Sequence, residues 1–404
     1  MQAIDLKSRF GRGTGERMVG PLFLLIMLST FAYFVSVGAL IPTLPRYVKG
    51  PLGGGELAVG WTIGSFALSA VLTRPLIGGV GDRRGRKVLM VAGGAIVAVS
   101  VAAYALVDTM AALIVLRLLS GVGEAAFYVG AASVINDIAP DERRGEALSY
   151  FSLALYGGLA VGPVVGESVL AASGYVQTWL ASAAAAAAAG LVGTAVRETR
   201  PEESRAAATA RRIVHPAGLV PGIVLACSVL GLAGYNTFVP LYALQLGMGG
   251  SRLVFVVYSI IVLVIRSVGA RIPDKLGPAR TARAALAISA VGLGIVALWS
   301  NVAGLVTGTV LFALGQALTF PALMTVAVAS APAAERGSVV GTFTAFFDLA
   351  FGVGAVALGG VAEIFGYRGS FAIAGAVAVA GVLLLVARGH KRRTAGEAQT
   401  ARAA

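Results

Sequence analysis

An all-α membrane protein, with twelve transmembrane helices in two pseudo-symmetric six-helix halves, is the fold class this sequence predicts, and three observations predict it. Mean hydropathy is +0.85, with 57% hydrophobic and 13% charged residues, too apolar for a chain whose whole surface is wetted. Apolar runs of spanning length recur from one end to the other, each close to the roughly 20 residues that cross a bilayer core. Motifs in two separate loops also recur at a single offset.

The runs, bounded by charge, glycine or proline clusters, fall at 19–45, 56–80, 88–107, 110–135, 147–171, 176–196, 217–246, 253–270, 283–300, 303–330, 338–362 and 370–388. The first is longer than a signal-peptide core and is read as a retained span. The polar, alanine-rich stretch 197–216 reads as a linker. It divides an N-terminal half, 1–196, from a C-terminal half, 217–390, and a tail follows at 391–404.

Loop charge sets the orientation, because Lys and Arg near span ends stay on the cytoplasmic side. Of the 32 Lys and Arg residues, only Arg46, Lys49, Arg252 and Arg368 fall on the opposite side, and Arg74, Arg117 and Arg266 lie within or at the ends of spans. Both termini are therefore expected on the cytoplasmic side, and the membrane is expected to be a bacterial inner membrane. The net charge of +13 is a topology signal. Nucleic acid is not an expected partner, since the basic groups alternate with spans instead of gathering on one face.

An offset of 192 residues carries Arg74, Asp82, Arg83 and Gly85 onto Arg266, Asp274, Lys275 and Gly277, and Pro140, Arg144 and Gly145 onto Pro332, Arg336 and Gly337. Two loops repeating at one shift predict halves of the same hand, related by an axis along the membrane normal.

The loop after span 2 concentrates charge: Gly78, Asp82, Arg83, Gly85, Arg86 and Lys87 lie within TRPLIGGVGDRRGRK. The pattern G-x-x-x-D-R-x-G-R-K resembles the signature loop of the major facilitator superfamily, and the likeness covers nearly the whole chain. It implies a secondary transporter working by alternating access. It also implies that this loop latches the two halves on the cytoplasmic side, Asp82 facing the amino end of span 11 and Gly78 admitting it. Positive-inside anchoring would explain the arginines alone.

In span 5, Gly158, Gly162 and Gly166 recur every fourth residue beside Pro163, in GGLAVGPVVGE. Such a stripe permits close helix packing and a bend. It resembles the G-x-x-x-G-P-x-x-G-G signature of exporters, chiefly drug:proton antiporters, with Glu167 in place of the last glycine. The stripe is open to two readings, an export-type hinge or packing alone.

Charges inside the spans locate the candidate site. Arg117, Glu124 and Tyr128 share one face of span 4, and a charge at mid-membrane costs about 2.5 kcal/mol or more, so that face is expected to line a cavity. Arg117 matches the arginine of the family's R-x-x-Q-G motif, linked by resemblance to proton coupling; Ser120 replaces its glutamine. Asp348 sits near the middle of span 11, and its counterpart at the 192 offset is Tyr156. Glu124, Asp348, Arg117 and Glu167 are the proton-coupling candidates, with static ion pairing or hydrogen bonding as the alternative. Tyr33, Tyr128, Tyr156, Tyr235, Asn236 and Gln316 are candidates for the substrate wall. No acid lies between Glu16 and Glu56, unlike many multidrug antiporters with an acid in helix 1.

No lysine follows a glycine, so no phosphate loop of the G-K-[ST] type is present. His215 and His390 have no metal-ligand spacing, Cys227 is alone, and no hydrolytic triad is recognisable. No enzyme activity, cofactor or metal is expected. The expected function is proton-coupled efflux of a small, largely apolar compound. The partners are that small molecule, protons and the lipid bilayer, and the chain is expected to act as a monomer. A proton-driven nutrient importer and a non-transporting sensor on the same fold are the alternatives.

Overall fold

The computed structural model describes residues 20–140, 143–199, 215–269, 275–329, 331–332 and 335–403. Proline, asparagine, threonine and glycine punctuate the helices where backbone chemistry requires. Proline opens α1 (Pro21–Lys49), α7 (Pro216–Gln245) and α9 (Pro278–Leu298), since its missing N–H is one a first turn leaves unpaired anyway. The Thr109 hydroxyl accepts from Ala112 N at the start of α4 (Met110–Ile138), and the Asn301 side chain accepts from Gly304 N at 2.8 Å to start α10 (Val302–Val328). The His215 ring caps α7 by accepting from Ala217 N.

Glycines with positive φ end elements at sharp corners. Gly85 (φ 107°) parts α2 (Glu56–Arg84) from α3 (Arg86–Ala102), and Gly174 (φ 88°) parts α5 (Arg144–Ser173) from α6 (Tyr175–Ala195). Gly277 (φ 84°) precedes α9, beyond α8 (Arg252–Val268). The last helix, α11 (Arg336–Ala403), is interrupted at Gly366 (φ 68°, ψ 178°). At the 192 offset Gly85 falls on Gly277, Gly174 on Gly366 and Thr109 on Asn301, so corners and caps repeat with the loop motifs.

Eleven α-helices are therefore described where the sequence predicts twelve separate spans. Spans 338–362 and 370–388 fall within α11, because the one-residue break at Gly366 leaves no loop between its two arms. Ten of the described helices are long and apolar enough to cross a membrane, α3 when taken with its tighter last turn as Arg86–Leu106; α8, with 17 residues, falls short. Asp274, the repeat of Asp82, and residues 200–214 of the expected linker lie outside the described residues.

Aromatic stacks and glycine contacts hold the helices together. Tyr33 of α1 stacks on Phe127 of α4, centroids 4.0 Å apart, and Trp179 of α6 packs edge-on against Tyr47 and Tyr104. Large apolar side chains also point outward, among them Leu72, Leu76, Leu106, Val268 and Leu298. Helices apolar on all sides suit a lipid surround.

The glycine stripe of α5 lies on α1. A Cβ at Gly162 would stand 2.6 Å from Gly38 Cα, one at Gly158 would meet the Phe31 carbonyl at 2.6 Å, and one at Gly166 would strike the Ala39 carbonyl. Backbone atoms cannot step aside as side chains do. Gly166→Ala is therefore expected to destabilise the protein by about 1–3 kcal/mol, read as a lower melting temperature in detergent. Gly78→Ala, inside α2 at a position where a Cβ would meet nothing within 4 Å, should not lower that temperature, since alanine favours the helix over glycine.

Candidate functional site

A cavity of about 250 Å³ opens in the middle of the bundle. Its walls are mainly apolar, with Phe34, Ile63, Phe255 and Phe351 among them, and its charged lining consists of Arg74, Arg117, Glu124, Arg266 and Asp348.

Arg74 of α2 organises the acids. Its Nη1 is hydrogen-bonded to Asp348 Oδ2 of α11, and its Nη2 stands 3.3 Å from both carboxylate oxygens of Glu124 of α4. The same guanidinium lies 4.9 Å from the Tyr128 ring centroid. One cation therefore bridges two carboxylates from helices far apart in sequence, an arrangement that offsets the cost of burying each.

Arg117 shares a face of α4 with Glu124, yet it turns toward α2. Its Nε donates to the Thr62 carbonyl at 2.9 Å and its guanidinium lies 4.3 Å from the Phe66 ring centroid. Arg266 of α8 lies 3.8 Å over the Tyr156 ring. Tyr156, Asn236 and Gln316 line the cavity with the charges. Gln316 is also committed to the α7–α10 contact, donating to the Ser228 carbonyl at 3.2 Å. Tyr33, Tyr128 and Tyr235 are not in the cavity lining: Tyr33 lies under Phe127, and the Tyr235 hydroxyl pairs with Thr309 at 2.8 Å.

Glu167 stands apart from this cluster, at the end of the bundle that carries the α1–α2 connection. Its Oε1 accepts from Ser251 N at 2.8 Å and Ser251 Oγ at 2.6 Å, capping the amino end of α8. Glu363 of α11 does the corresponding thing to α2, accepting from Leu57 N at 3.1 Å. Two carboxylates thus clasp two helix amino ends, where charge and dipole are complementary.

Between this end and the cavity α2 and α11 touch backbone to backbone. A Cβ at Gly60 would lie 2.5 Å from the Ala355 carbonyl, and one at Gly64 2.5 Å from the Gly352 carbonyl. Beyond the Arg74–Asp348 pair the glycines have open space beside them: a Cβ at Gly78, Gly79 or Gly341 would meet nothing within 4 Å. The α2–α3 loop is accordingly engaged with its own neighbours. Asp82 pairs with Arg86 at 2.7 Å, Arg86 Nε lies 3.6 Å from Asp137, and Glu198 accepts from the backbone N–H groups of Arg86 and Lys87 at 2.8 and 3.2 Å. Arg83 lies on the exposed last turn of α2.

Three residues of this geometry, Arg74, Arg266 and Glu363, are absent from the candidates drawn from sequence. The first two carried a signal, each being an arginine inside an apolar run that repeats at the 192 offset. Glu363 sits at a span end, where an acid ordinarily means only solvation.

The sequence profile described as Major Facilitator Superfamily matches residues 26–302 and 223–404. An uncharacterized MFS-type transporter of Salmonella typhimurium is 26% identical over 377 residues, covering 90% of this chain and 96% of the relative. One of Burkholderia pseudomallei is 29% identical over 380 residues, covering 88% and 89%. Among solved structures, the human organic anion transporter MFSD10 superposes with a TM-score of 0.70 at 20% identity, over 91% of this chain and 100% of that one. A POT family transporter in complex with a thioalcohol-conjugated peptide gives 0.77 at 13% identity, over 91% and 96%; at these identities the likeness is one of fold. With a profile spanning nearly its whole length and a helical bundle enclosing a charged central cavity, the chain belongs to the Major Facilitator Superfamily, a family of multi-pass membrane transporters and not of enzymes.

Proposed function

We propose that this protein exports a small, largely apolar compound across a bacterial inner membrane in exchange for protons. Twelve spans carry it, with α8 as a short span and the two arms of α11 as two. The helices form an N-terminal half (1–196) and a C-terminal half (217–390), joined by a linker at 197–216 and followed by a tail at 391–404. Both termini are cytoplasmic, in line with the loop charges. The α2–α3 end then faces the cytoplasm, and the end where Glu167 and Glu363 clasp helix amino ends faces outside.

The observation that carries this reading is the Arg74 guanidinium shared between Glu124 and Asp348. With both acids ionised, Arg74 ties α2 to α11 across the two halves. A proton on Asp348 removes the charge from that tie, and Glu124 keeps the arginine in its own half. Protonation thus changes which helices are bound together, a local charge event acting on an element with two arrangements. The open space beside Gly78, Gly79 and Gly341 would let α2 and α11 close on the cytoplasmic side, where Asp82 and the loop arginines would latch. Gly158, Gly162, Gly166 and Pro163 form the α1–α5 contact about which the N-terminal half would flex. The protein is read as a monomer, since the whole cavity lies within one chain.

Coupling direction is tested in proteoliposomes with a panel of radiolabelled small apolar compounds. Antiport predicts that an acid lumen drives accumulation of at least one of them. Accumulation driven only by an acid exterior would mean symport and overturn the export reading.

A further inference from the structure

The cavity is electrically unbalanced. Three guanidinium groups (Arg74, Arg117, Arg266) face two carboxylates (Glu124, Asp348), which leaves +1 with both acids ionised and +3 with both protonated. Two of the arginines are accounted for within the protein. Arg74 holds both acids, and Arg117 holds the Thr62 carbonyl and the Phe66 ring.

Arg266 is not. It lies on the Tyr156 ring and, like Arg74, has a buried Nε with no hydrogen-bond partner; unlike Arg74, it has no carboxylate within ion-pair reach among the described residues. The internal repeat identifies what is missing. At the 192 offset Arg74 corresponds to Arg266, and Asp348 to Tyr156. Each arginine reaches across to the other half, Arg74 to α11 and Arg266 to α5. The first meets a carboxylate and the second meets a phenol ring. Leaving a guanidinium in an apolar wall without an anion is costly, and its planar fork suits two parallel hydrogen bonds from a carboxylate.

We propose that the cargo is a small organic anion, an apolar body ending in one carboxylate, and that Arg266 anchors that carboxylate. The cargo supplies on the α5–α8 side the charge that Asp348 supplies on the α2–α11 side. Its apolar body lies against Phe255, Val262, Leu263 and Phe320, which share the cavity with Arg266. A cationic cargo would add to a charge that is already positive in every protonation state. The proposal deepens the export reading and rests on it for the assignment of this cavity to cargo.

Equilibrium binding to the purified full-length protein tests it, with no gradient imposed. The probes are phenylbutyrate, naphthylacetate and decanoate, each with the primary amide and the amine of the same skeleton. At least one carboxylate should bind about tenfold or more tightly than its amide and amine. Arg266→Gln should weaken that carboxylate about tenfold and leave the amide unchanged, while Arg266→Lys should keep part of the preference. The proposal fails if no carboxylate binds, if an amide or amine matches its acid, or if Arg266→Gln retains the preference. The wild-type order needs no variant to fold. Since binding is read without a proton gradient, failure of proton-driven accumulation would leave the anion preference standing, and a cation preference would leave antiport standing.

Discussion

Arg74→Gln is expected to reduce gradient-driven transport by about a hundredfold or more, equivalent to about 2.7 kcal/mol, and to lower the melting temperature as well. The reason lies in what remains. Glu124 is 6% exposed and Asp348 stands in the same cavity, so removing Arg74 leaves two acids facing each other with their shared cation gone. Losing one partner of a buried ion pair commonly costs about 3–5 kcal/mol, whereas replacing both is often nearly neutral. The double variant Arg74→Gln with Asp348→Asn should therefore melt closer to the wild type than Arg74→Gln alone. A double variant that melts below the single one would show that Asp348 is stabilised by something other than Arg74.

Glu167→Leu should open the other end of the molecule. The carboxylate accepts two hydrogen bonds from Ser251, the residue that caps the amino end of α8, at 2.8 and 2.6 Å, and such bonds are worth about 1.5–3 kcal/mol each when made to an ion. Losing even about 1.4 kcal/mol from the closed form shifts the ratio of closed to open about tenfold. Spin labels at Ala172 and Leu253, both exposed, in a background lacking Cys227, would report this as a longer distance population in Glu167→Leu. Glu167→Gln keeps an acceptor oxygen without the charge and should fall between. An unchanged distance distribution in Glu167→Leu would mean that the Gly60–Ala355 and Gly64–Gly352 contacts close this end without the clasp.

Much of the fold could be read from the sequence because its boundaries are set by local chemistry. Pro21, Pro216 and Pro278 start helices, Thr109 and Asn301 cap them, and Gly85 and Gly174 end them, each for a reason confined to a few residues. The exception at Gly366 is also local: one glycine breaks the helix without a polar loop, so a gap expected at 363–369 became a corner inside α11.

The candidate site was legible in kind but not in pairing. Helical spacing puts Arg117 and Glu124 on one face of α4, and the natural reading lets one offset the other. In the structure Arg74, arriving from α2, takes the acid, and Arg117 turns to the Thr62 carbonyl. Periodicity within one helix fixes which residues share a face, but partner choice depends on how neighbouring helices tilt and cross. The same limit hid the clasps, since nothing near Glu167 or Glu363 in sequence points to Ser251 or Leu57.

The central claim is that Glu124 and Asp348, held on Arg74, couple cargo movement to protons. It is tested most directly by comparing two fluxes through the Glu124→Gln, Asp348→Asn double variant in proteoliposomes. One is exchange of labelled for unlabelled cargo at equal pH, and the other is accumulation driven by an acid lumen. Retained exchange with accumulation abolished is the predicted result. Undiminished accumulation in the double variant would contradict it and move the coupling site elsewhere.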